Sequence, residues 1–156
     1  MSGKELWDLF SRQFHVAQSS FDAWAFGAEP DLLAHLVLSG EKTATASAHP
    51  LYALEDEPIP EVGEYSVILD SREEALCVIR TTKVTLIPFC DVPASHAYKE
   101  GEGDKSLAYW RRIHEAFFTQ CMAEAGLAFT PEMIVVCEEF EVVFPTCFAS
   151  EAKEES

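Results

Sequence analysis

Positive charge is scarce in this chain. Only 11 lysines and arginines stand against 27 aspartates and glutamates among 156 residues, for a formal net charge of −16. Setting aside the five acids of Glu55–Glu64 and the net −2 of residues 151–156 still leaves −9. A surface this acidic repels polyanions at long range, which disfavours tight, non-specific binding of long RNA or DNA. Small neutral or cationic ligands carry no such penalty. Long apolar runs are missing too: nothing approaches the roughly 20 residues of a bilayer-spanning helix, so no membrane association is expected. The start, Met1-Ser-Gly-Lys-Glu-Leu-Trp-Asp, lacks the basic and apolar regions of a secretion signal, and a cytoplasmic location is expected. The five cysteines (77, 90, 121, 137 and 147) form no C-x-x-C pair and read as buried, reduced thiols. The five histidines show no metal-ligand spacing, which argues against a zinc site. Neither G-x-G-x-x-G nor a P-loop occurs. No metal and no organic cofactor are expected.

Apolar residues make up 48 % of the chain, enough for one packed core. Residues 1–150 read as a single domain and 151–156 as a polar tail. Leu6, Leu9, Phe10 and Phe14 repeat in helical period, and a break follows near Gln18-Ser-Ser. Residues 21–30 read as irregular. Pro30 opens a second helix that Ser39-Gly40 ends. Lys42–Ser47 reads as extended, and an acidic, proline-bearing loop follows at 55–63. Tyr65–Leu69 and Leu76–Ile87, either side of Asp70-Ser-Arg-Glu-Glu, form a β-hairpin pattern. Asp104 or Ser106 caps a long helix carrying Leu107, Trp110, His114 and Phe118 on one stripe. Met133–Phe144 is a final strand. Strands joined mostly by hairpins predict an α+β fold with a mixed or antiparallel sheet, open to closure as a barrel, and helices outside.

Three segments carry candidate chemistry. Gly40-Glu-Lys-Thr-Ala-Thr-Ala-Ser47 places Lys42 near Thr45, and a lysine deprotonated by burial can activate a hydroxyl. In an uninterrupted strand the two would face opposite ways; a turn after the helix would bring them together. The plainer alternative is a solvated lysine beside half-buried threonines. In His96-Ala-Tyr-Lys-Glu100-Gly-Glu102-Gly-Asp104, glycines let a carboxylate sit in a tight loop, as an acid, a base or a partner for lysine; helix-start acids are the alternative. Ile79-Arg80-Thr-Thr-Lys can point Arg80 into a cleft or onto an ordinary exposed face. Phe26 and Tyr98 are among the aromatics able to stack a base, although such positions are more often core.

Together these segments resemble the ASCH domain family. The resemblance rests on Leu-Ser-Gly40-Glu-Lys42-Thr-Ala-Thr45, Val62-Gly-Glu-Tyr-Ser-Val, Ile79-Arg-Thr-Thr-Lys-Val, Tyr98-Lys-Glu-Gly-Glu-Gly-Asp with the helix from Ser106, and Val135-Val-Cys-Glu-Glu-Phe-Glu-Val-Val. It implies a PUA-like β-barrel with flanking helices. Some small members resemble amidohydrolases that remove acyl groups from the exocyclic amine of cytidine, and others are associated with RNA, one as a ribonuclease. The amidohydrolase set of lysine, threonine and glutamate maps by resemblance to Lys42, Thr45 and Glu100, with Glu102 two residues away. The family's arginine five residues after the lysine is replaced by Ser47, which weakens an expectation of phosphate binding.

The resulting expectation is hydrolysis of a small amide, an N4-acylated cytidine or related modified nucleoside. Lys42, neutral through burial, would activate Thr45; Glu100 would orient Lys42; Arg80, Tyr98 and Phe26 would hold the substrate. The alternatives are binding or cleavage of short single-stranded RNA in the same cleft, and a non-catalytic ligand-binding module.

Overall fold

The computed structural model describes residues 1–16 and 21–145. The expected break at Gln18 and the expected tail lie outside these residues. Helix α1 (Gly3–Phe14) begins with a reciprocal cap: Ser2 accepts from the Glu5 backbone, and the Glu5 carboxylate accepts from the Ser2 backbone. Strand β1 (Asp22–Trp24) lies in the stretch expected to be irregular. It is short and pairs in parallel with one neighbour, so alternation had too few residues to show. Helix α2 (Pro30–Ser39) ends at Gly40 in the left-handed conformation, as anticipated.

Strand β2 (Ala44–Ala48) follows, then a short helix α3 (His49–Leu54) not foreseen in the sequence. The hairpin is formed by β3 (Tyr65–Leu69) and β4 (Ala75–Pro88). A 3-10 turn (Phe89–Asp91) leads into α4 (Ala94–Glu100), a second unforeseen helix. Helix α5 (Leu107–Glu124) is capped by Ser106, whose own amide donates to Asp104. Strand β5 (Ile134–Phe144) completes the fold.

The five strands form one mixed sheet in the order β1-β3-β4-β5-β2, curled into a half-barrel. The edges β1 and β2 do not pair with each other, so the barrel is open. Strand alternation divides the core in two. Ile68, Cys77, Ile79 and Phe140 face one side and pack with Phe26, Leu33 and Val37. Val67 and Val78 face the other and pack with Leu6, Trp7 and Phe10 of α1. Val135 and Cys137 share that second side and meet Trp110 and Phe118 of α5. Burial of each large apolar side chain contributes about 1.5–3 kcal/mol. A bulge at Thr82 shifts the β4–β5 register between Thr81 and Lys83. It keeps Thr81 on the α2 side and turns Lys83 away.

Candidate active site: an ammonium between two carboxylates

The segment 41–43 is threaded between two helices. The Lys42 amide donates to the Leu36 carbonyl of α2 at 3.0 Å, and the Thr43 amide to the Lys99 carbonyl of α4 at 2.8 Å. This close passage requires Gly101, with φ +72, because a Cβ there would collide with the Glu41 carbonyl and lie 3.2 Å from the Lys42 Cα. Glu100 and Glu102 thereby bracket the Lys42 side chain.

Lys42 is 1 % exposed. Its ammonium donates to Glu100 Oε1 at 3.0 Å, to Glu102 Oε2 at 2.7 Å and to the Glu100 carbonyl at 3.4 Å. The Phe26 ring centroid lies 5.4 Å away. Glu100, also 1 % exposed, accepts at Oε2 from Trp110 Nε1 at 2.7 Å and pairs there with His96 Nε2 at 2.9 Å. His114 Nε2 lies 3.6 Å from Glu100 Oε1, and its ring stacks on Trp110 with centroids 4.3 Å apart. Both oxygens of Glu100 are therefore occupied by protein donors. Glu102 is different: its side chain is 16 % exposed and touches both Lys42 and solvent.

The electrostatics overturn one expectation. Burial is the largest influence on Lys42 and acts against its charge, but Glu100 and Glu102 outweigh it and raise its pKa. Lys42 is thus an ammonium, not a neutral amine. A lone buried lysine would deprotonate; this one has two counter-ions. Burial also acts first on Glu100, upward, yet Lys42, His114 and His96 hold its carboxyl well below the usual range. For His114 burial acts downward, but Glu100 and Glu102 raise the imidazole. One ligand atom each from Glu100, Glu102 and His114 lie within 4.8 Å of one another, a spacing that could hold a metal ion. The Lys42 ammonium already occupies the cation position at that centre, at 3.0 Å and 2.7 Å from the carboxylates.

The structure brings Lys42, Glu100 and Phe26 together, with Glu102 added. It does not bring the other expected residues to this cluster. Thr45 lies within β2, directly opposite Glu138 of β5, and makes no hydrogen bond to Lys42, Glu100 or Glu102 among the described residues. Arg80 is exposed on the sheet side that α1 covers, pairing across with Tyr65 and Glu141 near Phe10 of α1. Ile79 and Thr81 take the inward positions, and alternation sends Arg80 outward. Tyr98 is 64 % exposed on α4, with Lys105 over its ring at 5.5 Å. Two buried thiols are poor nucleophiles: burial pushes Cys77 and Cys137 up to about 12. Cys90 is exposed, against the expectation of a buried thiol, and Cys147 lies outside the described residues.

Sequence reasoning did not single out Glu138. It is 7 % exposed, and its Oε2 accepts from Thr81 Oγ1 at 2.7 Å. The signal was in β5: Val136, Glu138, Phe140 and Val142 share the side that packs on α2, so a glutamate interrupts an apolar row.

A family model for the ASCH domain matches residues 22–144. The chain belongs to the ASCH domain family. Solved structures agree. The ASCH domain from Lactobacillus crispatus JV V101 is 35 % identical, with a TM-score of 0.80 over 89 % of this chain and 94 % of that one. A protein from Enterococcus faecalis V583 is 38 % identical, with a TM-score of 0.84 over 90 % of this chain and 87 % of that one. A search among curated proteins found no match. No helix among the described residues is long and apolar enough to cross a membrane.

Proposed function

We propose that this ASCH-domain protein hydrolyses a small amide, an N4-acylated cytidine or a closely related modified nucleoside. The observation that carries the reading is the Lys42 ammonium, buried between two carboxylates of which one, Glu102, reaches solvent. A buried charge held this way costs desolvation, and replacing it with apolar residues is often neutral or stabilising for a fold. Chemistry at the mouth of the cluster gives a reason for its presence.

One proton moves in the reaction, from the attacking hydroxyl to the departing amine, and Glu102 is the group that reaches solvent to carry it. Thr45 Oγ bonds to the acyl carbon as the C–N bond breaks. Thr45 makes no hydrogen bond to Lys42 or Glu102 among the described residues, so the hydroxyl proton passes through solvent to the part-exposed Glu102, which gives it to the departing amine. Lys42, with its donors engaged by Glu100 and Glu102, holds Glu102 in place through their 2.7 Å hydrogen bond. Water cleaves the resulting ester and regenerates Thr45. Glu100, with both oxygens engaged, positions Lys42. A free nucleoside carries no phosphate, so the −16 charge does not oppose its approach.

The test is turnover of N4-acetylcytidine by the purified protein beside Lys42→Ala, followed by loss of the acylated-cytidine absorbance. Cytidine release by the wild type and not by the variant is expected, with little dependence on salt. No release at high enzyme concentration overturns the reading.

A further inference from the structure

The Lys42 cluster leaves Glu138 unused. This carboxylate faces the same sheet side as Thr45, its direct cross-strand neighbour, at the separation where paired side chains interact. Thr81 satisfies Oε2 at 2.7 Å. Oε1 has no donor among the described residues and is not sealed from solvent. Ser47, two residues along β2 on the same side, exchanges a 2.7 Å hydrogen bond with the Tyr52 hydroxyl, and Tyr52 feels the Glu138 charge. The charged groups acting on Glu138 are Glu64 and Asp22, both acidic, and among the described residues no cation pairs with it. A carboxylate this buried normally has its lone pairs met by donors. Here the protein supplies a donor to one oxygen and leaves the other beside the proposed nucleophile.

We propose that Glu138 is a substrate-binding residue that sets base specificity: its open Oε1 accepts the N–H of the scissile amide, so the cleft takes bases with an exocyclic amine or acylamine and rejects those with a carbonyl there. This rests on the nucleoside reading above and adds what that reading lacks, a group that recognises the leaving amine. A carbonyl at the same position would set its lone pairs against those of Glu138, a carboxylate that already feels the negative charges of Glu64 and Asp22. The missing donor comes from the ligand.

The test uses products, so that recognition is read without turnover. Cytidine and uridine are titrated against the full chain at pH 8 by calorimetry. The wild type is expected to prefer cytidine by about tenfold or more, the range of one charge-assisted hydrogen bond. Glu138→Leu, checked for folding by thermal unfolding, is expected to bind the two equally. Glu138→Gln, which keeps the shape but offers a weaker acceptor beside a donor, is expected to narrow the preference and decides the matter if the leucine variant does not fold. Equal binding of the two nucleosides by the wild type, binding of neither, or an unchanged preference in the variants overturns the proposal. N4-acetylcytidine turnover, run in parallel, separates the claims. Turnover without base preference removes Glu138 and keeps the amidase; preference without turnover does the reverse.

Discussion

Glu100 and Glu138 are both buried carboxylates, 1 % and 7 % exposed, and the fold surrounds them in opposite ways. Around Glu100 the protein gathers Lys42, His96, Trp110 and His114, and the carboxyl stays ionised well below its usual range. Around Glu138 it places one hydroxyl, Thr81, and two more acids, and burial raises the carboxyl. The first carboxylate is part of a completed electrostatic structure that fixes an ammonium. The second is incomplete and lies beside Thr45. Completion is what stability requires; an open lone pair is what a ligand requires.

The largest expected effect tests the completed side. Lys42→Met removes the counter-ion and leaves Glu100 buried with only histidine and indole partners. A loss of about 3–5 kcal/mol is expected in urea unfolding at pH 7. The Lys42→Met/Glu100→Gln double variant should lose much less than the sum of the single changes, because the uncompensated charge is gone. Additivity would mean that the pair is not energetically coupled.

pH separates the two carboxylates by sign. Glu100 has a depressed folded value, so its contribution is present above the ordinary 4.5 and is lost as pH falls through the folded value. Glu138 has a raised value, so folding favours its protonated form and it destabilises increasingly as pH rises from 4.5 through the folded value. Glu138→Gln should therefore gain stability relative to wild type as pH rises from about 4 to about 7, read by urea unfolding. A variant that becomes relatively weaker over that interval would show that Glu138 is satisfied in the fold and would dissolve the contrast.

Glu102 should matter to rate more than to folding. It is 16 % exposed, and Glu102→Gln keeps the hydrogen bond to Lys42 while losing the charge. A smaller stability loss than that of Lys42→Met is expected, because Glu100 still pairs with the ammonium. The kcat for N4-acetylcytidine should fall about 100-fold, the lower range for loss of an acid–base group. An unchanged kcat would take Glu102 out of the proton path.

Much of this was legible in the sequence where several residues agreed. The helix ending at Gly40, the hairpin across Asp70 and the helix beginning at Ser106 each carry a cap or turn residue beside a periodic run. The short elements β1, α3 and α4 had too few residues for period to show, and tertiary packing decides them. At the site, the Lys42 segment and the carboxylate loop were each legible from their residues, but the pairing of Lys42 with Glu100 came from family resemblance, because they are 58 positions apart and only the passage over Gly101 joins them. The charge state of Lys42 was not legible at all, since it depends on two counter-ions contributed by another segment. Glu138 was legible in principle, as the polar member of an inward row.

The smallest expected effect concerns Arg80, which sequence alone places equally well in a cleft or on an exposed face. Alternation along β4 puts it outward, across from Tyr65 and Glu141, on the sheet side that α1 covers. Thr81, its neighbour, is the residue that reaches Glu138. Arg80→Ala removes an exposed side chain with no partner at Lys42 or Glu138, so stability should move by no more than about 0.5 kcal/mol. The same reasoning holds for kcat/KM with N4-acetylcytidine, where a change below about twofold is expected. A tenfold loss carried by KM would mean that the substrate reaches the α1 side of the sheet. The active cleft would then have to be redrawn around Arg80, Tyr65 and Glu141, away from both buried carboxylates.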